Sequence, residues 1–223
     1  DSSACLFKDE NLIAAAEEER FRRIKHWAGF PSEAIRWCLS RGGIELSDVH
    51  YVALNQDDKA NLFKKLLFTL RKRPNIGMLL DRYQSKRKRA SLKHHLDTNF
   101  PNTKFKGKIH FVEHHIAHLS SAFHVSPFDK CVAVSVDGFG DFASTAWGVG
   151  NGSDIQIDSR IYFPHSLGIF YQAITQFIGF RNYGDEYKVM GLAPYGKPSY
   201  LDEMKKVVIL KSSGEFELNL EYF

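Results

Sequence analysis

Glu113-His114-His115-Ile116-Ala117-His118, followed closely by Lys130-Cys131-Val132-Ala133-Val134-Ser135-Val136-Asp137-Gly138-Phe139-Gly140-Asp141, carries the strongest structural signal in the chain. The valine-rich run reads as a buried strand that ends at a carboxylate and a glycine turn. A carboxylate in that position is costly unless it is paired or sits on a metal. The segment before it reads as a helix over Ile116 to Phe123, and helical spacing puts His114 and His118 on one face. At that spacing two imidazoles can share one metal ion. His115 points away from that face, toward a supporting place or solvent. Two imidazoles and a carboxylate suit iron, zinc and manganese alike. The Asp137-Gly138-Phe139-Gly140-Asp141 segment has two readings, a plain hairpin turn or a loop whose backbone N–H groups meet a phosphate.

The rest of the chain is organised around that pair of elements. Ser3 to Lys8 and Leu12 to Glu17 are apolar arms around Asp9-Glu10-Asn11, a β-hairpin pattern. Pro31 to Leu39 reads as a helix with Ala34, Trp37 and Cys38 inward, stopped by Gly42-Gly43. His50 to Leu54 and Lys108 to Val112 read as short strands. Residues from about 56 to 100 form an amphipathic helical insert broken near Pro74. Thr145 to Val149 and Asp154 to Tyr162 continue a meander, and Leu167 to Phe177 is an aromatic-rich helix. Arg181 to Gly196 reads as a glycine-punctuated loop. Leu201 to Leu210 fits helix and strand equally, and the run to Phe223 alternates like a strand. Interleaved helices and strands imply an α/β fold with a mixed sheet.

Bulk properties narrow the function classes. The chain has 223 residues, 43% hydrophobic and 25% charged, as in an ordinary globular protein with a real core. No apolar run approaches the roughly 20 residues a membrane helix needs. Cys5, Cys38 and Cys131 are odd in number and far apart, which suggests reduced thiols and a cytoplasmic setting. The opening at Asp1 and the close at Phe223 suggest a fragment of a longer protein. Charge is uneven. Eleven basic residues face one acid, Asp81, between Lys64 and Lys93, a net +10 in a chain of net +4, so the remainder carries −6. That insert has few aromatic rings, so a solvated helical hairpin is favoured over an RNA platform.

Two further segments carry candidate chemistry. Glu17-Glu18-Glu19-Arg20-Phe21-Arg22-Arg23-Ile24-Lys25-His26 is a dense charge block. It reads either as a solvated, self-paired face or as a place where Arg20, Arg23, Lys25 or His26 meets an anion. Gly184-Asp185-Glu186-Tyr187-Lys188-Val189-Met190-Gly191-Leu192-Ala193-Pro194-Tyr195-Gly196 mixes charge, aromatics and glycine as functional loops do.

These segments, in this order, resemble the N-terminal part of the carbamoyltransferase family that includes nodulation and antibiotic-tailoring O-carbamoyltransferases. Asp1-Ser2-Ser3-Ala4-Cys5-Leu6 and Phe163-Pro164-His165-Ser166-Leu167-Gly168 with Phe170-Tyr171 complete the match. The resemblance implies an actin-like ATPase (ribonuclease H-like) fold, incomplete in this stretch, with residues 1–223 as the N-terminal portion of the carbamoyltransferase domain. It implies a downstream lobe and an adenylate-forming domain beyond the chain, making carbamoyl-adenylate from carbamoyl phosphate and ATP. The carbamoyl group then passes to a hydroxyl of a small-molecule acceptor. The implied metal is ferrous iron on His114, His118 and Asp137, with a further aspartate beyond Phe223. Lys25 and His26 are implied near the carbamoyl and phosphate groups, as catalytic residues. Gly138, Gly140, Glu186, Lys188 and Gly191 are the implied phosphate and nucleotide contacts. A homodimer is the implied assembly, without membrane or nucleic-acid partners. The family's opening strand, which ends in a histidine, is missing before Asp1. Two other readings compete: a non-catalytic nucleotide- or RNA-binding protein on the same scaffold, and a sugar-kinase-like phosphotransferase, in which the histidine pair would have no task.

Overall fold

A computed structural model describes residues 1–72 and 92–223, and the part of the expected helical insert between them lies outside the described residues. The chain divides into two compact units, Asp1–Ala53 with Pro74–His110, and Leu54–Arg73 with Phe111–Phe223.

In the first unit, β1 (Ser3–Lys8) and β2 (Asn11–Glu17) form an antiparallel hairpin. Asp9 and Glu10 both take positive φ, 48° and 67°, the conformation a two-residue hairpin turn requires. A short helix, α1 (Glu19–Arg22), leads to α2 (Ser32–Gly42). The buried stripe of α2 is Ala34, Cys38 and Leu39, while Trp37 is only half-buried. Gly43 closes α2 at φ +63°, its N–H donating to the Leu39 and Ser40 carbonyls. Leu39 packs with Leu46 and with Leu96 and Phe100, at the far end of the insert. Leu96 belongs to α4 (Leu92–Asn99); α3 (Leu62–Lys72), which precedes it in the chain, is part of the second unit. Two strands, β3 (Tyr51–Leu54) and β4 (Lys108–Phe111), pair with one another. Their bonds run Lys108 N–H to His50 carbonyl and Val112 N–H to Leu54 carbonyl, so both strands point the same way and the pair is parallel.

In the second unit, α5 (His114–Phe123) lies on a three-stranded antiparallel meander of β5 (Lys130–Gly140), β6 (Ala143–Asn151) and β7 (Asp154–Tyr162). Leu119 of α5 packs on Ala133 and Ala146, with Ile155 and Ile157 at the margin. Phe68 of α3 meets the Phe142 and Phe163 rings edge-on at 5.7 and 5.1 Å. α6 (Leu167–Phe177) follows, capped by Ser166.

The α/β class is as expected, but three details differ. The strands do not form one mixed sheet among the described residues. They form four small sheets, the β3–β4 pair running parallel and the other three antiparallel. Nor is β5 buried on both faces. Ala133 and Ser135 face α5, but Val132, Val134 and Val136 are 67%, 60% and 55% exposed at the edge of the meander. The segment expected as a loop at 181–196 contains a helix, α7 (Glu186–Leu192), and a 3-10 turn at Ala193–Tyr195. Of its three glycines, Gly184 at φ +84° precedes the helix and Gly196 follows it, so only Gly191 taxes it. The ambiguous stretch at 201–210 is both things in turn: helix α8 (Leu201–Val207), then strand β8 (Val208–Leu210) paired with β9 (Phe216–Leu218). The final residues leave the strand after Leu218 for a 3-10 turn.

Candidate metal centre

The N-terminus of α5 and the end of β5 bring His114, His118 and Asp137 together. Glu113 starts the helix, its carboxylate accepting the Ile116 N–H at 3.0 Å. That fixes the first turn, and helical spacing then stacks His118 above His114. The Asp137 Oδ2 atom lies 2.8 Å from His114 Nε2 and 3.3 Å from His118 Nε2, and the two nitrogens are 3.0 Å apart. His118 and Asp137 are half-exposed, so the three donor atoms meet in an open position.

This donor set fits a divalent transition metal. For bonds of about 2.1 Å, adjacent ligands stand about 3.0 Å apart in octahedral and about 3.4 Å apart in tetrahedral geometry. The observed separations, 2.8, 3.0 and 3.3 Å, are close to those values. Both Nε2 atoms face one carboxylate oxygen and each other, an arrangement a shared cation satisfies better than protons do. The charges agree. The His114 hydrogen bond holds the Asp137 carboxyl well below the usual carboxylate range, against the opposing effect of partial burial. The same bond raises His114, while burial lowers His115. His115 is fully buried, 2.9 Å from the Ser135 hydroxyl, and so supports the sheet rather than facing solvent.

The glycines beside Asp137 also shape the site. β5 continues through Gly138 and Gly140, and the tight turn falls one step later, at Asp141 and Phe142, with φ of 49° and 77°. The Gly138 N–H donates to Asp137 Oδ1 at 2.7 Å and so orients the carboxylate. A Cβ on Gly140 would fall inside the His114 ring, so glycine there makes room for the imidazole.

Sequence reasoning passed over three supports. The Ser166 hydroxyl lies 3.0 and 2.8 Å from the Asp137 and Gly138 carbonyls and accepts the Ile169 N–H, pinning Asp137 from behind. A serine immediately before a helix was a legible cap signal. Arg160 reaches Glu113 at 3.4 Å. The Asp141 carboxylate accepts the His114 N–H, and nothing local in the sequence announces that bond.

The other candidates lie apart in character. Lys25 is exposed and lines a cleft of about 280 Å³ with Glu19, Arg20 and Arg23. His26 takes φ +57°, with Nδ1 3.2 Å from both carboxylate oxygens of Asp1 and its N–H donated to Glu19. The charge block is not merely a solvated face. Glu18 within it is fully buried, accepting from Arg22 at 2.8 Å and from the Glu33 and Ala34 N–H groups at the start of α2. Burial opposes ionisation of Glu18, and those donors outweigh it, so its pKa is lowered. Glu186, Lys188 and Gly191 sit on α7. There Lys188 is paired with Asp185 at 2.6 Å, which raises the lysine and lowers the aspartate. Gly191 has open space where a Cβ would stand. No helix among the described residues is long and apolar enough to cross a membrane.

Comparison with known proteins gives the class to which this fold and site belong. The sequence profile described as "Carbamoyltransferase N-terminus" matches residues 1–223, the whole chain, and the chain belongs to that family. It is 39% identical to an uncharacterized protein of Synechocystis sp., sll1178, over all of this chain and 38% of that protein. It is 33% identical to nodulation protein NolNO of Sinorhizobium fredii, over 99% of this chain and 32% of the relative. Nodulation protein NolO of Bradyrhizobium diazoefficiens matches 49% of the chain, and 20% of its own length, at 39% identity. The chain therefore spans about a third of the length of the first two relatives.

Proposed function

We propose that this chain is the metal-bearing part of an O-carbamoyltransferase. In this reading the whole protein moves a carbamoyl group from carbamoyl-adenylate, made from carbamoyl phosphate and ATP, to a hydroxyl of a sugar or secondary metabolite. The observation that carries the reading is the meeting of the His114, His118 and Asp137 donor atoms in a chain of this family. A divalent ion held by these three, ferrous iron in this reading, supplies Lewis-acid polarisation of substrate oxygens.

The chain's own residues do the rest. Gly138 N–H fixes the Asp137 carboxylate, Ser166 holds the Asp137 backbone carbonyl, and Glu113 fixes the helix turn that aims both imidazoles. Lys25, beside Arg20 and Arg23, offsets the negative charge that develops on departing AMP. In this reading His26, whose Nδ1 faces the Asp1 carboxylate, takes the proton of the acceptor hydroxyl. Lys188 exchanges its Asp185 partner for the nucleotide, and the open flank at Gly191 lets backbone approach it closely.

The test uses the full-length natural protein with carbamoyl phosphate, ATP and a panel of polyols and amino sugars. AMP release and carbamate formation are followed together. Metal removal, or His114→Ala, should stop transfer to the acceptor while carbamoyl-adenylate still forms. Transfer that survives complete metal removal would sink the metal's role, and absence of carbamoyl-adenylate would sink the donor.

A further inference from the structure

Asp141 belongs to none of the ligand or substrate positions discussed above, yet it sits where three backbone segments meet. Its Oδ2 atom accepts the N–H of His114 at 2.9 Å and the N–H of Asp57 at 2.8 Å. Its own carbonyl accepts from Asn61 Nδ2 at 2.9 Å. One residue therefore ties the β5–β6 turn, the 55–61 loop and the first residue of α5. Asp141 thus holds His114 directly, through the backbone N–H of the residue that opens α5. Its left-handed φ of 49° is tolerated by Asp, Asn and Gly far better than by other residues, so the turn and the grip are requirements on one position.

We propose that Asp141 is a positioning residue for the metal centre: it sets the place of His114 Nε2 without touching the ion or the substrate. The proposal rests on the metal reading given above. Supporting partners of this kind ordinarily change metal affinity about 10- to 100-fold when removed.

The experiment is a Co(II) titration of the metal-stripped full-length protein, read by visible d–d absorption, with circular dichroism as the folding check. The wild type is compared with Asp141→Gly and Asp141→Asn. Glycine keeps the turn and deletes the carboxylate. Asparagine keeps the turn and an uncharged acceptor oxygen. The expected result is a Co(II) affinity about 10- to 100-fold lower with altered band positions in Asp141→Gly. Asp141→Asn should recover only in part, to a Co(II) affinity about three- to tenfold below wild type, since an uncharged acceptor makes a weaker bond. Wild-type affinity and spectrum in a folded Asp141→Gly protein overturn the proposal. If Asp141→Gly loses its near-ultraviolet signal, Asp141→Asn decides alone: affinity about threefold or more below wild type sustains the proposal, and an unchanged value overturns it. A wild-type protein that takes up no Co(II) at all fails the metal reading itself, an outcome distinct from both.

Discussion

Glu18 and Asp137 are two carboxylates treated in opposite ways. Glu18 is sealed. Its oxygens take a guanidinium and two backbone N–H groups at the positive end of α2, and no surface is left over. Asp137 is supported from behind by Gly138 N–H and Ser166 but meets two imidazole nitrogens on its open side. A carboxylate closed by N–H donors is a structural tie. A carboxylate that faces ring nitrogens can share a cation with them. The difference lies in what the neighbours bring, protons or lone pairs, and not in the acid itself.

Substitutions should separate the two roles. The largest effect falls on Glu18→Ala, which strands Arg22 and two N–H groups. Unfolding in urea should show a loss of about 3 kcal/mol, with Co(II) affinity unchanged; a metal-binding defect there would erase the contrast. His118→Ala should do the reverse. Co(II) affinity falls about 100-fold, about 2.7 kcal/mol, while stability stays within about 0.5 kcal/mol because the ring is half-exposed. Gly140→Ala forces the His114 ring aside and should weaken Co(II) about tenfold, seen in the same titration. Gly43→Ala, at φ +63° and outside both groups, should cost only about 1 kcal/mol of stability and nothing in metal affinity.

Acidity sharpens the same contrast. The folded pKa of Glu18 lies below its ordinary value of 4.5, so its stabilisation is present above that value and is lost as pH falls through the folded pKa. Stability curves of wild type and Glu18→Gln, measured by urea unfolding from pH 6 downward, should therefore converge in acid. Parallel curves would mean that Glu18 is not ionised in the folded protein.

The sequence made one of these carboxylates visible and hid the other for a physical reason. Asp137 ends an apolar run and follows a His-x-x-x-His pair, so strand and helix periodicities together bring all three residues into view. The partners of Glu18 at Glu33 and Ala34 lie 15 and 16 residues on, and no local pattern connects them. The bond from Asp141 to His114 likewise spans 27 residues. The hairpin at 3–17, the meander and helix 167–177 were legible because each rests on local turn chemistry or its own period. The exposed valines of β5 were not. A β-branched run specifies a strand but does not say which of its faces is covered. Helix α7 was obscured because glycines that flank an element look, in sequence, like glycines that break it.

The openness at Asp137 has a consequence at the bench. Two imidazoles and a carboxylate bind nickel, copper and zinc in preference to ferrous iron when all are on offer. A half-exposed site of this kind exchanges its occupant with its surroundings. Protein eluted from a nickel affinity column would therefore carry the column's metal, and an assay on it would report nickel chemistry. Isolation without such a resin and without added metal salt, followed by elemental analysis, is the preparation in which the site's own occupant would be found.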